Sequence, residues 1–299
     1  MEVYFSDQFD LQLPEGHRFP GRKYGMLRHA LVDEGVIDET HLRCAAPVNV
    51  ETVLLAHDAD YVRSIEEGTI DPAAMRRIGF PWSPHIPLRA RATLGGAISA
   101  AEAALRDGFA GQLAGGTHHA HAGFGSGYCV YNDFAVVARY LLTKGGLSRL
   151  AIIDLDVHQG DGNAAILGED AGVYILSIHG EKNFPFRKFP STHDVPLPDE
   201  TDDAAYLDAL EDALPKVWDF EPQLILYQAG VDPLAADRLG RMRLSFAGLM
   251  ARDHLVFASA AARAIPVSMA IGGGYADPIE LSVRAYVNTW RAAREVYHW

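Results

Sequence analysis

Residues 151–162 read Ala-Ile-Ile-Asp-Leu-Asp-Val-His-Gln-Gly-Asp-Gly, an aliphatic run that ends in three carboxylates and one imidazole. The aliphatic half suits a parallel strand buried on both faces. The polar half suits the carboxyl end of that strand, where open α/β sheets collect their ligands. In extended chain alternate side chains share a face, so Asp154, Asp156 and His158 point one way. Desolvating three titrating groups together is costly unless something balances them, and a divalent cation is the usual balance. The plainer alternative is a carboxylate–histidine network that only holds a loop.

The remaining chain supplies a sheet for that strand. Further strands are predicted at 2–5, 47–50, 112–114, 173–178, 223–228 and 266–271, and helices at 23–33, 51–67 in two pieces, 89–107, 132–144, 203–218, 245–263 and 278–298. Such alternation predicts an α/β fold: a single open, mostly parallel β-sheet with helices on both faces, forming one domain over residues 1–299. The net charge of -13 argues against a nucleic-acid partner or an anionic membrane surface, and is compatible with a cationic substrate such as a lysine-rich tail or a polyamine. Two cysteines, Cys44 and Cys129, are too few for a disulfide framework. With no signal-like start and no apolar run long enough to span a bilayer, the expected location is cytoplasmic.

Four strand ends finish in polar or glycine-rich clusters: His118-His119, 154–161, 230–233 and Gly272-Gly273-Gly274-Tyr275. A parallel sheet brings all four to one edge. Asp232, after the apolar 224–227, is placed to join Asp156 and His158, and two carboxylates with one imidazole leave open positions on zinc or iron(II), as in catalytic sites. His118 and His119 after a Gly-Gly turn suit acid–base work beside such a metal, with Asp154 and Asp161 as spare carboxylates to orient them. Tyr275 follows three glycines whose flexibility would let its phenol swing towards a developing oxyanion. Tyr128, Phe184 and Phe186 are candidate walls of a substrate pocket, and the loop holding His17 and Arg18 is expected near it.

These motifs resemble the metal-dependent histone deacetylases of the arginase–deacetylase fold, and within them the class IV-like branch with its bacterial relatives. The resemblance rests on 115–119 (Gly-Gly-Thr-His-His), 127–133 (Gly-Tyr-Cys-Val-Tyr-Asn-Asp), 154–162, 228–234 and 272–275; the early 16–20 and the stretch 230–244 are similar to the class IV branch in particular. It implies zinc held by Asp156, His158 and Asp232, with His119 as general base and acid, His118 as its electrostatic partner, and Asp154 and Asp161 orienting the two histidines. It further implies Tyr275 polarising the amide carbonyl, the Gly127 carbonyl meeting the substrate N–H, Tyr128 as a tunnel wall, and a K+ site on the backbone of Asp154, Asp156 and His158 with Ser177 and Ile178.

The implied substrate is an acyl-lysine protein or peptide, acetylated or carrying a longer acyl chain. A small acylated amine such as an acetylpolyamine, or a non-catalytic acyl-lysine reader, are the alternatives. The loop at 80–84 lacks the rim acid with which several members hold a peptide backbone. An arginase-like second metal would need carboxylates where Gly160 and Leu234 stand.

Overall fold

Side chains along residues 150–157 alternate between two apolar clusters. Ala151, Ile153, Leu155 and Val157 enter one of 39 buried residues, and Leu150 and Ile152 enter another of 33 on the opposite face. The computed structural model describes residues 1–299. In chain order it runs β1 (Val3–Phe5), α1 (Lys23–Asp33), β2 (Leu42–Cys44), α2 (Val50–Val53), α3 (Ala59–Glu67), α4 (Pro72–Ile78), α5 (His85–Asp107), β3 (Phe109–Gln112) and α6 (Asp133–Thr143). It continues with β4 (Leu150–Asp154), α7 (Asp161–Leu167), β5 (Val173–Gly180), β6 (His193–Leu197), α8 (Asp203–Asp219), β7 (Ile225–Gln228), α9 (Phe246–Ala261), β8 (Val267–Ala270) and α10 (Glu280–Tyr297). The helices cover both faces of one eight-stranded sheet, ordered β2-β1-β3-β8-β7-β4-β5-β6, in which every pairing is parallel.

That order creates the crevice. From β4 the chain moves outward through β5 to the edge strand β6, then returns to β7 on the other side of β4 and moves away through β8. Neighbouring strands whose connections run in opposite directions form a topological switch point, where open α/β sheets bind ligands. The carboxyl ends of β3, β8, β7 and β4 lie side by side there, so all four polar clusters meet at one edge.

The local reasons for the elements are mostly caps and burial. Asn132 accepts a hydrogen bond from the Ala135 N–H at 2.8 Å and starts α6; Ser245 and Asp202 cap α9 and α8 in the same way. The segment 47–50, expected as a strand, instead leads into α2, because Asn49 accepts from the Thr52 N–H at 3.0 Å and closes a helical turn. The strand beside β1 is Leu42–Cys44. The half-buried edge strand β6 and the short helices α4 and α7 show no period in the sequence, and β6 carries a proline that only an edge tolerates well.

Two buried polar groups brace the switch point. Arg252 of α9 is fully buried, and its Nη1 donates to the carbonyls of Leu155 at 3.1 Å and Gly230 at 2.7 Å, tying the ends of β4 and β7 together. Asp253 accepts from Arg252 Nε at 2.9 Å, from the Tyr227 hydroxyl at 2.5 Å and from Thr289 at 2.6 Å, so both oxygens of the carboxylate are satisfied. On the other side, His57 accepts from the Asn132 N–H at 2.8 Å, and Asn132 Nδ2 donates to the Ala120 carbonyl at 3.0 Å, fixing the chain just after His118-His119.

Burial lowers the pKa of His57 to about 4. A histidine whose folded pKa lies below its unfolded value contributes stability that is complete above about 6.5 and is lost as pH falls through about 4. Thermal unfolding followed between pH 7 and pH 4 should therefore show a loss of about 3 kcal/mol from this group. The His57→Gln variant, less stable at neutral pH, should lose correspondingly less across that window. Parallel pH profiles for the two proteins would remove His57 from the acid response.

Candidate active site

The hydrogen bonds of β4 end at Asp154, yet the alternation of faces persists through the bend that follows. Leu155 and Val157 stay in the core, which leaves Asp156 and His158 facing the crevice. Each crevice carboxylate accepts a backbone N–H from a neighbouring strand end. Asp156 Oδ2 accepts from the Gly273 N–H at 2.7 Å, and Asp232 Oδ1 accepts from the Val157 N–H at 2.8 Å. Their other oxygens turn to the same point: His158 Nδ1 lies 3.0 Å from Asp156 Oδ1 and 3.1 Å from Asp232 Oδ2.

Donor atoms of the three residues all lie within 4.8 Å of one another, and all three residues are buried. One nitrogen and two carboxylate oxygens converging in this way fit a single divalent cation with open coordination positions. No further group of metal-binding residues converges elsewhere, and Leu234 is buried in the core, so a second arginase-type metal has no donors.

The imidazole and carboxylates shift one another's proton affinity strongly. Burial alone would push His158 down, but hydrogen bonds and charge from Asp156 and Asp232 lift its pKa to about 10. Burial, reinforced by the charge of Asp156, raises Asp232 to about 7.

His118 and His119 stand beside this triad with their rings 4.1 Å apart, and they are tuned in opposite senses. His118 Nδ1 lies 2.7 Å from Asp154 Oδ2; burial opposes its charge, but Asp154 and Asp156 outweigh it and lift the pKa to about 9. His119 Nδ1 lies 2.7 Å from Asp161 Oδ1, and burial together with the neighbouring charge of His118 lowers its pKa to about 4. His119 is thus neutral: its Nδ1–H donates to Asp161, and Nε2, without a protein partner, keeps its lone pair. Asp161 also faces His121 Nε2 at 3.0 Å; burial works against its charge, but the two histidines hold it well below the usual carboxylate range.

A cavity of about 660 Å³ opens over these groups. Tyr275 lines it, and its hydroxyl makes no hydrogen bond within the protein, while its backbone N–H donates to Asp237 at 2.6 Å. The preceding glycines are there for clearance. A Cβ on Gly273 would lie 2.0 Å from Asp232 Oδ2, and one on Gly274 would lie 2.6 Å from the Tyr286 hydroxyl. This corrects the expectation of a flexible glycine hinge, since the backbone is packed against the carboxylates it hydrogen-bonds.

Tyr128 and Phe184 form the walls: Tyr128 stands 6.0 Å from the Tyr275 ring, and Phe184 stands edge-on 4.9 Å from the His119 ring. Phe186 is 89% exposed and stands at the mouth. His17 organises its own loop, accepting from the Phe19 N–H at 3.1 Å and reaching the Gly79 carbonyl at 3.1 Å, while Arg18 stays exposed. Ser177 pairs in register with Asp154, and its hydroxyl lies 3.0 Å from His179 Nδ1.

Three contributors escaped sequence reasoning: Arg252, His121 and Lys23. Lys23 is buried, donates to the Gly274 carbonyl at 3.2 Å and lies 4.8 Å from the Tyr275 ring centre. Burial lowers its pKa to about 8 against the pull of Asp232 and Asp237. A lysine opening a helix carries no signal of burial; only its contact with a loop 251 residues away reveals it.

Comparison with known proteins agrees with this geometry. The histone deacetylase domain profile matches residues 17–290. An uncharacterized protein of Picosynechococcus sp. is 41% identical across 99% of both chains. Histone deacetylase 2 of Arabidopsis thaliana is 30% identical over 92% of this chain and 74% of its own. Among solved structures, an HDAC homolog from Aquifex aeolicus has a TM-score of 0.83 at 26% identity, covering 99% of this chain and 88% of that one.

Because the carboxylates of Asp156 and Asp232 hold a proton on His158, that proton must leave before Nδ1 can be offered to a cation. Affinity for a divalent cation should therefore rise with pH, by about tenfold per unit for each proton displaced, between pH 6 and pH 8. Calorimetry in buffers of different ionisation enthalpy should count at least one proton released per ion. A flat affinity across this range would exclude His158 from the binding set.

Proposed function

Because this chain belongs to the histone deacetylase family, we propose that it removes acetyl or longer acyl groups from lysine side-chain amides of proteins or peptides. The observation that carries the reading is a neutral His119, oriented by Asp161 at 2.7 Å, standing beside three donor atoms that converge on one point. Asp156, His158 and Asp232 would hold one zinc ion, or iron(II). When bound, such an ion supplies Lewis acidity to an acyl carbonyl and makes water more acidic.

The chain's own groups do the rest. His119 Nε2 takes a proton from the attacking water, while Asp161 holds the imidazole by its Nδ1–H and stabilises the imidazolium that results. His118, kept charged by Asp154, adds positive potential next to the developing oxyanion. The Tyr275 hydroxyl donates to that oxygen, and the Gly127 carbonyl accepts the N–H of the scissile amide. Tyr128 and Phe184 flank the lysine stem, with Phe186 at the outer end. His119 then returns its proton to the leaving amine.

The reading extends to one catalytic domain over residues 1–299 and to a cytoplasmic location, supported by Cys44 and Cys129, which are both free. No helix is long and apolar enough to cross a membrane. A monovalent cation, K+, is proposed at the backbone of Asp154, Asp156 and His158 with Ser177 and Ile178, on adjacent strand ends held in register by the β4–β5 pairing.

Zinc-loaded protein should hydrolyse acyl-lysine peptides, and a series of acyl lengths should show where the pocket ends. Acetylated polyamines belong in the same panel, because the amide chemistry is identical; turnover of these alone would move the function to small amines. Tyr275→Phe should retain its metal and lose about a hundredfold in kcat, as for loss of one oxyanion donor. Near-normal turnover of that variant would remove Tyr275 from the chemistry.

A further inference from the structure

We propose that the acylated substrate carries negative charge on its amine side, and that Arg76, Arg77, Lys182, Arg238 and Arg241 around the mouth of the cavity select it. The proposal rests on the amide-hydrolase reading of this site and narrows it to a substrate class.

The mouth has the opposite sign from the molecule. The chain carries 39 acidic against 26 basic residues, yet these five cations line the cavity together with a single carboxylate, Asp156, buried at its floor. They come from three separate segments: the last turn of α4, the loop after β5 and the loop after β7. Arg76 and Arg77 are exposed, and neither has a carboxylate within ion-pair distance. Lys182 and Arg241 share Asp199, at 3.9 Å and 3.1 Å, and Arg238 faces the exposed Asp277 at 3.6 Å. Two carboxylates thus serve five cations, and the excess faces the opening.

Structural roles do not exhaust the pattern. Arginines in the last turn of α4 complement the helix end, and Arg77 also packs over the Phe124 ring at 4.9 Å. Lys182, Arg238 and Arg241 lie outside any helix, across the opening. A cleft lined by one sign of charge concentrates ligands of the other sign, over a range of about 8 Å at physiological salt. A polyamine or a lysine-rich tail would bring its remaining cations into that field and be repelled. Carboxylates flanking an acyl-lysine would meet unpaired guanidinium groups, which bind them well. The net charge of the chain points to a cationic substrate, and the local charge reverses that expectation.

The test uses zinc-loaded protein and five acetylated probes: a peptide with Asp and Glu beside the acetyl-lysine, the same peptide with Lys and Arg, free Nε-acetyl-lysine, its carboxamide, and an N-acetylated polyamine. Both kcat/KM and equilibrium binding are measured. The acidic peptide should exceed the basic one by about tenfold or more in both, and the margin should shrink as salt is raised from 50 to 500 mM. The double variant Arg76→Gln/Arg77→Gln, altered only at exposed side chains, should cut the ratio to within about threefold. A preference for free acetyl-lysine over its carboxamide would identify a single α-carboxylate as sufficient. Acid-selective binding without hydrolysis of any probe would uphold this inference and defeat the hydrolase reading. Equal binding of acidic and basic peptides, a preference for the polyamine, or a ratio unmoved in the double variant would overturn it.

Discussion

Four carboxylates, those of Asp154, Asp156, Asp161 and Asp232, are buried at one edge of the sheet, and the surrounding structure is largely the means of tolerating them. Burial of an ionised group is expensive unless it is paired and hydrogen-bonded. Asp154 is matched by His118, Asp161 by His119 and His121, and the remaining two share His158. Backbone N–H groups of Gly273 and Val157 take one oxygen from each member of that last pair. The same interactions that make burial bearable also fix tautomers and aim oxygens. The electrostatics of folding and the arrangement needed for chemistry are therefore one set of contacts.

The opposed tuning of His118 and His119 follows from that arrangement. Their rings touch, so both cannot be charged, and the deeper pair of carboxylates decides which one is. A neutral imidazole with a free lone pair can accept a proton, and the charged ring beside it adds positive potential at the same place.

Much of this was legible in the chain before folding. The alternation of 150–158 predicted which residues share the crevice face, because a period of two survives even where the ladder stops at Asp154. The triad was legible because two donors sit two residues apart and the third ends the neighbouring strand. Arg252 and Lys23 were not, because each stands inside or at the head of a helix whose pattern gives no reason to expect a buried charge. Each has a partner far away in sequence, Leu155 for Arg252 and Gly274 for Lys23. The triple glycine was legible as a motif, but its reason was not: steric clearance at an oxygen 2.0 Å from a would-be Cβ is visible only once Asp232 is in place. Edge strand β6 and the short helices lacked a period altogether. Net charge could not describe the mouth, since a sum over 299 residues says nothing about which of them surround an opening.

The Arg252 bridge separates two tasks that a loop-built site would otherwise mix. One rigid guanidinium on α9 accepts responsibility for the spacing of the β4 and β7 ends, through the carbonyls of Leu155 and Gly230. The loop that follows β7 supplies Arg238 and Arg241 to the rim only after that anchor point. Exposed rim side chains such as Arg238 and Arg241 can be exchanged or recharged while the spacing of the strand ends stays set from beneath the sheet. Descendants of such a chain can explore new substrates through rim substitutions without rebuilding the centre, which makes the mouth the evolvable part of the molecule and the crevice floor its inherited part.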